Sequence, residues 1–129
     1  MVPPIPALVT VLALLTYQAT GLLVGRARVV HGVKPPAMTG PAAFERALRV
    51  QQNTLEQLVF FLPSFWLAVL LDNAAIASAL GLVWVGGRIA YAAGYLQAAE
   101  KRGPGFGISF LSGAVLLVMA VAGALRAAL

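Results

Sequence analysis

IPALVTVLALLTYQATGLLV, residues 5–24, is a run of 20 residues without a charged side chain. About 20 apolar residues are what an α-helix needs to cross the hydrocarbon core of a bilayer, so this stretch predicts a transmembrane helix. Three further helices are predicted over residues 43–71, 74–101 and 107–127, with a loop over 25–42. A secretory signal is the competing interpretation of the first segment, but no basic residue precedes it. The sequence therefore predicts an all-α integral membrane protein built as a four-transmembrane-helix bundle.

The composition of the whole chain agrees with this assignment. Of the 129 residues, 60% are hydrophobic and 10% are charged, whereas soluble domains are about half apolar and one-quarter charged. These values exclude an ordinary soluble globule and a disordered chain, and the length predicts a single domain over residues 1–129. The absence of cysteine excludes disulfides and a cysteine nucleophile. His31 has no second histidine or carboxylate at metal-ligand spacing, so no metal site is predicted.

The distribution of charge predicts the orientation of the chain in the membrane. The nine cations lie at the borders of apolar segments and form no basic stripe interleaved with aromatic residues, which argues against a nucleic-acid partner. Asp72 is the only charged residue in the turn after helix two. The loops after helices one and three carry five of the cations: Arg26, Arg28, Lys34, Lys101 and Arg102. The positive-inside rule therefore places these two loops in the cytoplasm and both termini outside, with Arg126 as one exception.

Polar residues of the second helix fall on one face. At 100° per residue, six of them lie within an arc of about 140°: Arg46, Arg49, Gln52, Asn53, Glu56 and Gln57. Polar groups at membrane depth usually face the bundle interior or a cavity. Guanidinium, amide and carboxylate groups together suit a ligand that carries both carboxylates and an amine. The alternative is an internal salt-bridge network in which Arg49 and Glu56 hold the bundle together.

The third helix carries two separate stripes. A small-residue stripe contains Gly86, Ala90, Gly94 and Ala98. Small residues at this spacing let helices approach closely in lipid, so the stripe is expected to pack against another helix, and a helix of another subunit is one candidate. The other stripe, an Arg/Tyr stripe, contains Arg88, Tyr91, Tyr95 and, if the helix extends that far, Arg102. This second stripe is then available for a ligand site, and the alternative is that its tyrosines are aromatic residues of the membrane interface.

Two blocks of sequence resemble the MAPEG family, the membrane-associated proteins of eicosanoid and glutathione metabolism. Residues 44–56, FERALRVQQNTLE, match its pattern FER-x-x-R-x-Q-x-N-x-x-E. Residues 88–95, RIAYAAGY, look like its R-x-x-Y-x-x-G-Y block, and Arg102 follows seven residues later. The similarity covers most of the stretch 26–102 and is strongest to the leukotriene synthases and microsomal glutathione transferases of the family.

The resemblance implies a homotrimer of four-helix subunits that binds glutathione between neighbouring subunits near the cytoplasmic face. It implies that eight residues contribute to glutathione binding: Arg28, Arg49, Gln51, Asn53, Glu56, Arg88, Tyr91 and Tyr95. In that arrangement Arg28 and Gln51 come from the adjacent subunit, and Arg88 supports the site. Arg102 matches the arginine thought to stabilise the glutathione thiolate, so it is the expected catalytic residue.

The expected reaction is conjugation of glutathione, as co-substrate, to lipophilic electrophiles that arrive from the bilayer. Reduction of lipid hydroperoxides is a further expected activity. Gln57 stands where leukotriene synthases usually have tyrosine, and Val29 where they have a second arginine, which argues against leukotriene-type epoxide opening. The alternatives are a non-catalytic family member that binds lipid or a partner, and a proton-coupled exporter. Such exporters generally carry a glutamate in the first helix, where this chain has no acid.

Overall fold

The computed structural model describes all residues, 1–129, and most of them lie in four long helices. Helix α1 spans Pro4–His31, α2 spans Ala42–Leu71, α3 spans Ala74–Gln97 and α4 spans Gly103–Ala128. A 3₁₀ turn, Ala99–Arg102, joins α3 to α4. Each helix is long and apolar enough to cross a bilayer, which confirms the predicted all-α fold with four spans.

The first helix ends later than predicted. It continues from residue 24 to His31, so the expected loop over 25–42 is reduced to 32–41. The charges after Val24 end the apolar span but not the helix, because arginine is a good helix former. Gly32, with φ 65°, ends the helix in the left-handed conformation that glycine adopts without steric cost. Arg26 and Arg28 are therefore helical residues rather than loop residues.

The boundary between α3 and α4 also differs from the prediction. Helix α3 ends at Gln97 instead of 101, because Ala98 is extended, with φ −161° and ψ 143°. Helix α4 begins at Gly103 instead of 107. Pro104 lies in the first turn of α4, where a missing backbone N–H costs nothing, so it begins this helix rather than terminating the preceding one.

Aromatic residues fill the centre of the bundle. The rings of Phe61 and Trp84 stack with centroids 4.0 Å apart, and Phe61 also stacks on Phe65 at 5.4 Å. All three side chains are fully buried, together with Ala13 of α1 and Leu116 of α4. These five residues come from all four helices, so the cluster joins the helices at the centre of the bundle.

The two ends of the bundle differ in charge. At one end the side chains of Asp72 and Arg126 form an ion pair of 3.1 Å. Arg126 is the one cation that departs from the orientation predicted by the positive-inside rule, and this ion pair neutralises its charge. The N-terminal residues lie near Ala74 at this same end, so both termini share it. The opposite end, the loop end, contains the segment 32–41 and the 3₁₀ turn 99–102.

Glycines set the distance between α3 and α4. A Cβ on Gly87 would lie 2.7 Å from the backbone nitrogen of Ser109, and a Cβ on Gly105 would collide with the backbone of Tyr91. Of the predicted small-residue stripe, Ala90 takes part in this contact through its backbone, since a Cβ on Gly105 would lie 2.7 Å from its carbonyl carbon. Gly86 has open space beside it, and Gly94 packs against the Lys101 carbonyl of the 3₁₀ turn. Within the chain, therefore, the stripe meets α4 at Ala90 but not at Gly86 or Gly94, and its packing against a helix of another subunit stays a prediction.

We expect Gly105→Ala to lower the free energy of unfolding by about 1–3 kcal/mol, because the added methyl forces α4 away from the α3 backbone. Gly107→Ala is the matched control, since a Cβ there meets nothing within 4 Å. It should be neutral or stabilising by up to about 1 kcal/mol through helix propensity. Thermal unfolding in detergent, followed by circular dichroism, measures both. Equal shifts in the two variants would contradict the close approach.

Candidate functional site

A polar cavity of about 250 Å³ lies at the loop end of the bundle, between α2, α3 and the start of α4. Six residues line it: Arg49, Asn53, Tyr91, Tyr95, Arg102 and Phe106. Five of these are residues that the sequence predicted for the site. We call this cavity the arginine pocket, because its charged residues are two arginines and no carboxylate lines it.

Helical periodicity brings these side chains together from three segments. Asn53 follows Arg49 by four residues on α2, and Tyr95 follows Tyr91 by four residues on α3, so each pair shares one face of its helix. The 3₁₀ turn then returns the chain across the end of α3 and delivers Arg102. The pocket therefore depends on the chain reversal at Ala98, which a continuous α3 would not provide.

Arg88 lies behind the arginine pocket and is fully buried in a helix long and apolar enough to span a membrane. Its guanidinium donates hydrogen bonds to Asn53 Oδ1 at 2.8 Å, Thr54 Oγ1 at 2.9 Å and Ser109 Oγ at 3.3 Å. It also lies 4.1 Å from the centroid of the Tyr91 ring. A buried charge is costly unless it is hydrogen-bonded or paired. Here neutral oxygens and an aromatic face replace a carboxylate partner.

The contact with Arg88 orients the Asn53 amide. A guanidinium group can only donate, so the amide must present its carbonyl oxygen to Arg88. The two amide N–H groups of Asn53 are then directed away from that contact and are available to acceptors in the pocket. The pocket thus offers N–H donors of Asn53 in addition to two guanidinium groups.

Arg102 and Arg49 are both exposed at the mouth of the pocket. The Arg102 guanidinium lies 5.5 Å from the centroid of the Tyr95 ring and donates to the Ala99 carbonyl oxygen at 3.0 Å. Arg49 donates a long hydrogen bond of 3.4 Å to Gln52 Oε1. Neither arginine forms an ion pair, so both retain donors for an anionic ligand. Such a pocket suits carboxylates and other anions.

Three of the predicted site residues lie elsewhere in the chain. Glu56 is exposed on α2 and does not line the pocket, because it lies seven residues, about 10 Å, along the helix from Arg49. Arg28 donates to the carbonyl oxygens of Ala37 at 2.7 Å and Val33 at 3.4 Å, and so holds the loop 32–41. Gln51 is directed toward Gly21 of α1: a Cβ on that glycine would lie 3.3 Å from Gln51 Nε2.

The internal salt-bridge network that the sequence left open does not form within this chain. The ion pair of the structure joins Asp72 and Arg126 at the opposite end of the bundle. Arg49, Arg88 and Glu56 have no charged partner. That interpretation of the polar residues on α2 is therefore wrong for the single chain.

Three further residues of this region were not predicted from the sequence. Thr54 and Ser109 supply oxygens to Arg88, and Phe106 forms one wall of the pocket. Thr54 lies next to Asn53, so a search for partners of a buried arginine could have found it. Ser109 and Phe106 belong to α4, where no polar periodicity indicated a site.

The fold and the pocket define a class: a multi-pass α-helical membrane protein with a cationic pocket at one end of its bundle. The sequence model of the MAPEG family matches residues 6–122. The chain belongs to this family.

Several known proteins are similar over most of this chain. An uncharacterized protein of Synechocystis sp. is 55% identical over 116 residues, covering 90% of this chain and 85% of its own. The microsomal glutathione S-transferase 2 of Homo sapiens is 40% identical over 119 residues, covering 92% and 79%. The leukotriene C4 synthase of Cavia porcellus is 40% identical over 96 residues, covering 74% and 64%. The predicted resemblance to the family is therefore confirmed.

We expect Thr54→Val to lower the free energy of unfolding by about 1.5–3 kcal/mol, the usual contribution of a hydrogen bond to a charged group. The substitution keeps the shape of the side chain and removes the oxygen that accepts from Arg88. Thr20→Val is the matched control, because the Thr20 hydroxyl is also buried but bonds only to the Tyr17 carbonyl of its own helix. Chemical or thermal unfolding in detergent compares the two. A Thr20→Val loss as large as that of Thr54→Val would contradict the role assigned to Arg88.

Proposed function

We propose that this protein is a membrane-bound glutathione transferase that conjugates glutathione to lipophilic electrophiles. The observation that carries the proposal is the arginine pocket, in which Arg49, Asn53, Tyr91, Tyr95 and Arg102 converge and no carboxylate is present. Membership of a family with relatives named glutathione S-transferase supports glutathione as the ligand. Glutathione carries two carboxylates, an ammonium group and a thiol, and therefore needs mainly cationic and N–H donor partners.

The size of the pocket supports a site that is shared between subunits of a homotrimer. A cavity of about 250 Å³ is smaller than the roughly 300–1,000 Å³ typical of small-molecule sites. One chain would therefore supply only part of the site. In this proposal Arg28 and Gln51, which lie outside the pocket of their own chain, contribute to the pocket of a neighbouring subunit. Glu56, which also lies outside the pocket, would bind the ammonium group of glutathione where the ligand extends along α2 beyond the pocket.

The chemistry assigned to Arg102 is electrostatic. The thiolate is the nucleophilic form, and a free thiol has a pKa of about 8.5. A fixed cation near the sulfur lowers that pKa, and arginine cannot serve as a general base because it does not lose its proton. The thiol proton leaves to water, the thiolate attacks the electrophilic carbon, and a carbon–sulfur bond forms as the bond to the leaving group breaks.

The same thiolate would reduce a lipid hydroperoxide. It attacks the terminal peroxide oxygen, the O–O bond breaks, and the lipid alcohol is released with one proton taken from water. The resulting glutathione sulfenic acid then reacts with a second glutathione to give the disulfide and water. Because both acceptors are lipophilic, both would enter from the bilayer. In the proposed orientation the loop end of the bundle lies in the cytoplasm and the two termini lie outside.

Arg102→Ala tests the proposed role of the cation. We expect it to raise the pKa of the bound glutathione thiol by about 1–3, the usual effect of one nearby opposite charge. Conjugation at neutral pH should fall with the thiolate population. The measurement is the ultraviolet absorbance of the thiolate against pH, with conjugation rates followed in parallel.

Lys101→Ala is the matched control for Arg102→Ala. Lys101 is the adjacent exposed cation, but it donates to Gln97 and does not line the pocket. Equal thiolate absorbance in wild type and Arg102→Ala would refute the electrostatic role. Glutathione binding without turnover on a broad panel of electrophiles would instead favour a non-catalytic, binding member of the family.

Mixed oligomers test whether the site is shared. Arg28→Ala and Arg102→Ala chains should each be nearly inactive alone. If the two residues act from different subunits, each site needs an intact Arg102 from one chain and an intact Arg28 from its neighbour in the ring. Random co-assembly of the two variants in equal amounts provides this pair at about a quarter of the sites. Conjugation rates of co-expressed, differently tagged chains measure this. A mixture no more active than the separate variants would contradict the shared site.

A further inference from the structure

A second feature of the chain lies on the opposite side of α3 from the arginine pocket. A long apolar groove runs between α1 and α3, from Leu12 to Leu23 on one wall and from Val85 to Leu96 on the other. Its volume is about 480 Å³. We call it the α1–α3 groove. None of its lining residues belongs to the proposed glutathione site.

The walls of the α1–α3 groove are apolar along their whole length. Its two polar residues are Thr16 and Thr20, and both hydroxyls are bonded to α1 itself. Thr16 Oγ1 donates to the Leu12 carbonyl at 2.8 Å, and Thr20 Oγ1 donates to the Tyr17 carbonyl at 2.6 Å. No polar hydrogen is therefore directed at an occupant, and the groove suits a hydrocarbon chain.

The groove continues into a cationic mouth at the loop end. A cavity of about 410 Å³ shares Leu23 and Leu96 with the groove and is also lined by Arg26 and His31. No carboxylate lines this mouth. Arg26 is exposed and has no ion pair, so its guanidinium is available, and the imidazole of His31 can donate a further hydrogen bond.

The dimensions match those of a membrane leaflet. From Leu12 to Leu23 the groove follows 11 helical steps, or about 16 Å, and half of a hydrocarbon core is about 15 Å. The apolar groove and the cationic mouth are arranged in the same order as the acyl chain and the headgroup of a lipid. We propose that an anionic phospholipid occupies this site, with its phosphate at Arg26 and His31 and one acyl chain along α1 and α3.

The positive charge of the mouth and the length of the groove favour a phospholipid over other occupants. A soluble anion would use the mouth but leave the apolar groove empty. A zwitterionic lipid such as phosphatidylcholine would use the groove, but the ammonium group beside its phosphate offsets the attraction to Arg26. A cation near an anionic lipid surface is expected to favour the anionic lipid about fivefold.

Native mass spectrometry of the full chain with phosphatidylglycerol or phosphatidylcholine tests the proposal. The protein should retain phosphatidylglycerol about fivefold more strongly, and Arg26→Gln should remove most of that preference. Lys34→Gln is the matched control, since Lys34 is an exposed cation of the neighbouring loop that lies outside both cavities. Equal retention of both lipids by the wild type, or equal losses in the two variants, would overturn the proposal.

A second pair of variants tests the acyl-chain half of the site. Ala19→Trp fills the exposed wall of the groove and should lower retention of both lipids at least severalfold. Ala124→Trp, on an exposed position of α4, is the control. If Ala19→Trp does not fold by circular dichroism, Ala93→Trp places the same bulk on the opposite wall. Unchanged retention in the folded groove variant would overturn the proposal.

Cross-linking tests whether a second copy of the chain covers the groove instead. Ala19→Cys introduces the single thiol of the chain, because the natural sequence has no cysteine. If a lipid occupies the groove, a short bis-maleimide should not link two copies of this variant in membranes. Efficient linkage would overturn the proposal. None of these measurements uses glutathione, so the lipid site and the glutathione site stand or fall separately.

Discussion

The structure depends on one buried cation that has no anionic partner. Arg88 is fully enclosed at the level of a membrane span and is stabilised by oxygens from α2 and α4 and by the face of Tyr91. Each of these partners must stay in place, because a guanidinium group deprived of hydrogen bonds in that environment is strongly unfavourable. Arg88 therefore fixes the relative positions of α2, α3 and α4 more tightly than apolar packing in lipid would.

The arginine pocket follows from that constraint. Arg88 holds the carbonyl oxygen of Asn53 and one face of Tyr91, so two residues of the pocket wall are fixed from behind. Gly105 allows α4 to approach α3 at Tyr91 itself, and the 3₁₀ turn delivers Arg102 to the open side. The uncompensated positive charge behind and around the cavity then favours an anionic ligand. In this account the same interactions that stabilise the bundle also prepare the site before a ligand arrives.

The sequence was informative where a residue's neighbours on its own helix decide its position. Four apolar runs predicted four spans, and helical spacing placed Arg49 with Asn53 and Tyr91 with Tyr95. It was less informative where tertiary contacts decide. The end of α1 at Gly32 and the reversal at Ala98 depend on local backbone conformation, which hydropathy does not report. The close contact through Gly87 and Gly105 and the Ser109 oxygen depend on the pairing of α3 with α4, which periodicity within one helix does not reveal. Glu56 shares the helical face of Arg49 but does not line the arginine pocket of its own chain, so a helical face alone does not predict which cavity a residue lines, and the role of Glu56 in glutathione binding stays a proposal.

The central claim is that the arginine pocket exists to bind glutathione, and calorimetric titration of glutathione into the purified, folded protein tests it most directly. The account predicts saturable heat with one glutathione bound per chain and an affinity that falls as salt screens the arginines. Arg49→Gln should remain folded and lose most of that affinity. Heat no larger than that of dilution, from wild-type protein whose circular dichroism shows intact helices, would contradict the account.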